Sequence, residues 1–290
     1  MPAAFLPSPS RSIWHVGPIA VQAYAVCVIA GIVLGLWVAN RRYVRIGGRP
    51  GLILDMATLA VPAGLVGGRL YSVITGYESY FGSGHDWAHV FYIWDGGLGV
   101  PGAVVGGGLG AWVACRRERP ALAPIAGAVA PALAFAQAIG RVGNWFDQAL
   151  YGQPSTLPWA VRISPEYRLA GYLADATFQP MFLYESLWDV LVGAAVIYAA
   201  RRFLLRGDRT FALYAGLYAI GRFLVQELAI YYSPRLFGLR VDQVVMIAIL
   251  ACSAGYLYRT RHARGPDSVT RAGNPGEARA PGAAAEPAAG

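Results

Sequence analysis

Seven windows of the chain are apolar over nearly their whole length, at roughly residues 19–39, 51–75, 97–115, 121–141, 181–202, 209–229 and 241–258. Each approaches the ~20 residues a helix needs to cross a bilayer. Polar positions gather between the windows. The pattern predicts an all-α, polytopic integral membrane protein with seven transmembrane helices, in which lipid replaces much of the burial of a soluble core. Residues 1–262 read as one membrane domain, and residues 263–290, rich in Ala, Pro, Gly and charge, as a disordered cytoplasmic tail. Two connections are long. Residues 76–96 are aromatic and slightly acidic, and residues 142–180 hold several prolines and aromatics. Both are expected to be periplasmic or extracellular loop elements. Their aromatics suit either a membrane-interface belt or a substrate-binding head.

Charge fixes the expected orientation. All 24 basic residues are arginine, and they cluster after alternate windows. Arg41, Arg42, Arg45 and Arg49 follow the first. Arg116, Arg117 and Arg119 follow the third, Arg201, Arg202, Arg206 and Arg209 the fifth, and Arg259, Arg261 and Arg264 the seventh. The positive-inside rule then places the N-terminus outside and the C-terminus in the cytoplasm. Composition agrees, with 56% hydrophobic and 14% charged residues against about 25% charged in a soluble domain. The net charge of +8 therefore reflects topology, and a nucleic-acid partner is not expected. The first window lacks a basic n-region and is followed by arginines, so it reads as an uncleaved span and not a signal peptide. Cys27, Cys115 and Cys252 are far apart and show neither metal spacing nor a disulfide framework. No metal or cofactor is expected.

Spans two to four carry "GLVGGRL", "GGLGVPGAVVGGGLG" and "GAVAPALAF". Close helix packing through small residues explains most of these glycines. It does not explain Arg69 and Arg222, each directly after a glycine inside a span, nor Glu185 and Asp189. A charge at membrane depth is costly and usually marks an interior site or an aqueous cavity. Asp55 lies near a span end and needs no such reading.

The stretch "AIGRVGNWFDQALYGQPSTLPWAVR" leaves the fourth window with Arg141, Asn144, Asp147 and Gln148 close together. If the fourth and sixth spans face each other, Arg141 and Arg222 present two permanent cations near the outer leaflet. Guanidinium groups hold phosphate through bidentate, charge-assisted hydrogen bonds. Asn144 adds a donor and an acceptor. Tyr24 and Tyr218 can supply hydroxyls, and Tyr218 lies four residues before Arg222, on the same helix face. A phospholipid headgroup is the anion most plentiful beside such a site.

These residues also carry a resemblance. The chain resembles the prolipoprotein diacylglyceryl transferases over about residues 12–260. "GRVGNWFDQALYG" matches the family's Gly-Arg-x-Gly-Asn pattern with its later Gly152, and "AYAVCVIAG" matches the first-span block holding Tyr24. "GGRLYSVI", "IWDGGLGVPGAVVGG", "QPMFLYESLWD" and "YAIGRFLVQ" match further blocks in order. The resemblance implies a multi-pass enzyme of the bacterial cell membrane. It would transfer diacylglyceryl from phosphatidylglycerol to the lipobox cysteine of a preprolipoprotein signal peptide, forming a thioether and releasing glycerol phosphate. It implies catalytic roles for Arg141, Asn144, Arg222 and Tyr24, and substrate contacts from Arg141, Arg222, Tyr218, Gly152 and Glu185; the residues themselves add Asp147 as a catalytic candidate and Arg69 as a substrate contact. The chain departs from the family pattern at Ala149 and Gln226, where Glu is usual, and at Pro101 and Gln179, where many members have His. Asp147, Asp95, Glu185 or water is then left to receive the thiol proton. The alternatives are a degenerate paralogue that binds lipid or signal peptide without turnover, and an unrelated transporter or channel.

Overall fold

The computed structural model describes residues 5–17, 19–81, 87–92, 97–118, 120–231, 233–236 and 238–262. The tail expected to be disordered, and Asp95, lie outside them. Among the described residues, seven helices have 19 residues or more: α1 Ala23–Arg45, α2 Leu52–Thr75, α4 Val100–Glu118, α5 Leu122–Phe146, α6 Met181–Arg202, α7 Gly207–Gln226 and α8 Val241–Arg259. A one-turn helix, α3 Tyr77–Phe81, follows α2. Five of them, α1, α2, α5, α6 and α8, are long and apolar enough to cross a membrane. The glycine content of α4, and the charges of Asp208, Arg209 and Arg222 in α7, hold those two less apolar. Large apolar side chains stand outward around the bundle, Ile74 at 74% exposure and Val104 at 68%. A surface of that kind suits lipid and would be an aggregation liability in water.

α5 is the central element. It packs on α1, α6 and α7, while α2 pairs with α4 and touches α1, and α8 lies on α7. Its alanines make this possible. Ala128, Ala130, Ala132 and Ala134 are at most 2% exposed, and their small side chains let neighbouring backbones close in. A Cβ on Gly31 of α1 would stand 2.7 Å from the carbonyl oxygen of Ala136. The α2–α4 seam is tighter still. A Cβ on Gly102 would lie 2.1 Å from the Gly67 oxygen, and one on Gly106 2.2 Å from the Ala63 oxygen. The packing role expected of these glycines is therefore realised as direct backbone contact.

Three details differ from the sequence reading. Ile19–Gln22, taken as the start of the first span, is strand β3, paired antiparallel with β2 Ile13–Val16. Gly17, at φ +62°, makes the turn between them, a conformation that costs glycine little. Second, the architecture is not purely helical. Strands β1 Leu6–Pro7, β4 Val161–Arg162 and β5 Thr177–Phe178 form a small sheet, with β1 parallel to β4 and β4 antiparallel to β5. A hairpin of β6 Arg235–Leu236 and β7 Leu239–Arg240 precedes α8. The small sheet encloses Tyr151, Val161, Ile163 and Phe178, which pack with Phe182 of α6. Residues 142–180 are thus a folded head on the bundle. Third, α5 runs on to Phe146, so Asn144 lies within the same helix as Arg141 and not on the chain leaving it.

Candidate active site

The end of α5, the start of α6 and the end of α7 meet beneath the head. Glu185 and Asp189 are four residues apart on α6 and share one face. They are 4% and 2% exposed. Buried carboxylates need cationic partners, because removing a charge from water costs several kcal/mol. Arg141 comes from α5 and Arg222 from α7. Arg141 Nε lies 2.8 Å from Glu185 Oε2 and 4.0 Å from Asp189 Oδ2. Arg222 Nη1 donates to Glu185 Oε1. One carboxylate therefore gathers two guanidiniums from two different helices.

Neighbouring groups lock this arrangement. Trp188 Nε1 donates to the Leu217 carbonyl at 2.9 Å, and its ring lies flat on Gly221, where a Cβ would meet it at 2.1 Å. The glycine before Arg222 is thus the seat of Trp188. Ser186 Oγ donates to the Ala138 carbonyl at 2.9 Å and ties α6 to α5. The space enclosed by the cluster is about 10 Å³, on the order of one water. The side chains of Arg141 and Arg222 are 20% and 21% exposed. An anion must then meet their outer ends instead of entering the cluster. Arg141 engages through Nε and Arg222 through Nη1, and their other N–H groups make no hydrogen bond among the described residues. Tyr218 lines the cluster. Its hydroxyl and the Asn144 side-chain amide likewise make no side-chain hydrogen bond there.

The remaining expected residues divide among other places. Asn144 is one helical turn from Arg141 and on nearly the same face. Gly143 instead faces α1, where a Cβ would stand 2.8 Å from the Tyr24 ring and 3.3 Å from Cys27 Cβ. Tyr24 is 40% exposed. Asp147 caps the C-terminal end of α5, and its charge acts on Cys27. Burial pushes the Asp147 carboxyl above the ordinary carboxylate range. Arg69 is on α2, in the other helix pair. It donates to the carbonyls of Val90 at 2.8 Å, Tyr92 at 3.1 Å and Gly97 at 3.2 Å, and to that of His89. It pins the connection after α3, and nothing in these contacts makes it a substrate ligand. Gly152, expected on substrate, is buried, and a Cβ would lie 2.6 Å from the Leu228 oxygen. It is a close-packing position in the bridge to Ala229.

Gln148 is also occupied. It donates to Ser164 Oγ at 3.1 Å, accepts from the Ser164 N–H at 2.7 Å, and so staples the head to the end of α5. Gln226 donates to the Tyr231 hydroxyl at 2.6 Å and to Asp242 Oδ2 at 2.9 Å. A glutamate there would face the Asp242 carboxylate, so the amide is the electrostatically quiet choice. Glu227 accepts from Gln243 at 2.5 Å and belongs to the same α7–α8 joint. Gln179 accepts from the Tyr184 hydroxyl at 2.6 Å, and Pro101 sits in the first turn of α4, where its missing N–H costs nothing. The sequence marks Asp189 only as a costly charge inside a span, without a role, and does not mark Trp188. The four-residue spacing of Glu185 and Asp189 inside an apolar window was a usable signal for the first. The Trp188–Gly221 contact had none.

A model of the family described as prolipoprotein diacylglyceryl transferase matches residues 11–259. The phosphatidylglycerol–prolipoprotein diacylglyceryl transferase 2 of Streptomyces coelicolor is 48% identical over 256 residues, 87% of this chain and 81% of that protein. The transferase of Streptomyces avermitilis is 47% identical over 259 residues, covering 89% and 75%. That of Cutibacterium acnes is 43% identical over 244 residues, covering 84% and 82%. The match takes in every helix that supplies the cluster, so the chain belongs to the prolipoprotein diacylglyceryl transferase family.

Proposed function

We propose that this chain is a membrane enzyme that transfers the diacylglyceryl group of phosphatidylglycerol to a prolipoprotein cysteine. The observation that carries the reading is the convergence of Arg141 and Arg222 on Glu185, with partly exposed guanidinium ends and Tyr218 lining the same cluster. In the reaction, the lipobox thiolate attacks the glycerol carbon that bears the phosphate ester. A C–S bond forms, the C–O bond breaks, and glycerol phosphate leaves with the bonding pair. Negative charge grows on the leaving phosphate, and donors fixed in advance at that point lower the barrier most. Arg141 and Arg222 supply them. Glu185 holds both forks in place, so little reorganisation is needed when the charge develops. Asn144 and Tyr218 complete the headgroup contacts, and Tyr24 orients the substrate at the α1–α5 edge.

The thiol proton goes to Asp147. A carboxylate raised by burial is a stronger base than an ordinary one, and Asp147 stands at the C-terminal end of α5, about two turns beyond Arg141. The fold is read as seven spans, because α4 and α7, at 19 and 20 residues, match the others in length. The head is placed outside, with the N-terminus, and the C-terminus in the cytoplasm. The test is direct. Purified protein is supplied with phosphatidylglycerol labelled in its acyl chains and a lipobox peptide. A diacylglyceryl mass increment on the peptide cysteine, with one glycerol phosphate released per peptide, is expected. Release without peptide modification would assign the site to lipid hydrolysis instead.

A further inference from the structure

At the far end of the same helices a second set of arginines converges. A cavity of about 370 Å³ opens between α1, α5, α6 and α7, with Arg42, Arg45 and Arg201 in its wall. Gly127 also lines it, and helical rise along α5 puts it about 21 Å from Arg141. It is therefore a separate place from the transfer site.

The charges in this cavity are unbalanced. Arg42 lies in the repulsive field of Arg201 and Arg45. Its Nε is buried without a hydrogen-bond partner. None of the three arginines makes an ion pair or a side-chain hydrogen bond among the described residues. Two acidic residues of this end, Asp208 and Asp55, are engaged elsewhere. Asp208 takes the Tyr256 hydroxyl at 2.6 Å and Arg206 at 3.3 Å, and Asp55 takes Arg49 at 2.5 Å. Three guanidiniums held together without a counter-charge repel, and an anion between them removes that cost. Their planar forks favour a phosphate oxygen set.

The wall decides which phosphate. Ile46, Leu204 and Leu205 line the cavity beside the arginines. Leu204 is 54% exposed and the adjoining Phe203 60%, so the mouth opens onto an apolar surface. Leu204 also holds φ +48°, a left-handed conformation that persists only where the surroundings fix it. A soluble phosphate has no use for that apolar lip. A phospholipid does, because its acyl chain runs along the helices while its headgroup reaches the arginines.

We propose that this cavity binds the phosphate of an anionic phospholipid, at the membrane face opposite the transfer site. The proposal does not depend on the transfer reaction. The test uses the full chain in lipid nanodiscs doped with a phosphatidylglycerol or a phosphatidylcholine that carries a photoreactive acyl chain. Adducts on residues 203–205 are read by mass spectrometry. The anionic probe should label them roughly tenfold more than the neutral one, and R42Q/R201Q should remove that preference, since each arginine near an anionic surface contributes about a factor of five. An excess of inorganic phosphate should leave the labelling unchanged. Equal labelling by the two probes in the wild-type protein overturns the proposal, and that comparison needs no variant to fold. So does a preference that survives R42Q/R201Q. Loss of the adducts to inorganic phosphate overturns it in favour of a soluble anion.

Discussion

Glu185 carries more of the site than its place in the sequence suggests. It is one carboxylate for two guanidiniums, 4% exposed, and it fixes α5 to α7 through α6. Glu185→Gln leaves two half-buried arginines without an anchor, and breaking a fully buried pair costs roughly 3–5 kcal/mol, the upper bound here. The variant should melt well below wild type in the same detergent and lose most of its transfer activity. Unchanged melting and turnover would show that the cluster is not held by this residue. The meeting of Arg141, Arg222 and Tyr218 in one cluster was legible in advance, because charge in an apolar window is rare and a fixed spacing puts Tyr218 beside Arg222. Arg69 and Gly152 were also expected on substrate, and in the structure both hold chain segments in place. Nothing local separates an arginine that meets a ligand from one that meets loop carbonyls. Ala149 is exposed at the end of α5, so its side chain leaves no gap to be filled. With Asp147 as proton acceptor, Asp147→Asn should lower turnover on the order of 10²-fold while melting is unchanged, and Ala149→Glu should change little. An inactive wild type that gains turnover with Ala149→Glu would mark the chain as a degenerate paralogue.

At the scale of elements, every long helix was read from hydropathy, but α1 runs to Arg45 and α5 to Phe146, past the expected ends at 39 and 141. Residues 181–202 coincide with α6, and α2 differs by one residue. The errors fall where another force competes. Ile19–Gln22 is apolar enough for a span but is captured by pairing with Ile13–Val16 across Gly17. The head was hidden for a different reason. Its strands are two residues long, and β1 and β4 lie 154 residues apart along the chain, as the Ser8–Arg162 hydrogen bond also shows. No local period announces such pairing. The glycine-rich helices make a sharp prediction. Gly106→Val drives side-chain atoms into the Ala63 backbone, 2.2 Å from where a Cβ would start, and overpacking of that kind costs about 1–3 kcal/mol or more. Gly108 has nothing within 4 Å of its Cβ position, so Gly108→Val should be tolerated. Comparable folded yields and melting temperatures for the two would contradict the α2–α4 seam.

Across the whole molecule, the two ends of the bundle differ in chemistry. One end has the head, the Glu185 cluster and the exposed Tyr24. The other has the arginine-rich turns. In the proposed orientation, which follows the positive-inside rule, the second end is the cytoplasmic one. In a version lacking Cys27, Cys115 and Cys252, a single cysteine at Thr156, on the head, should react with an impermeant reagent in intact cells. One at Arg117 should react only after permeabilisation. Labelling at 117 from outside would invert the orientation. The central claim is that Arg141 and Arg222 act as paired forks on the phosphate that leaves. The most direct measurement is turnover at saturating phosphatidylglycerol for wild type, Arg141→Lys and Arg222→Lys, with folding verified by melting. Lysine keeps the charge and loses the planar fork, so each variant should lose on the order of 10²-fold in turnover. Wild-type turnover in both, with the protein folded, would contradict the account.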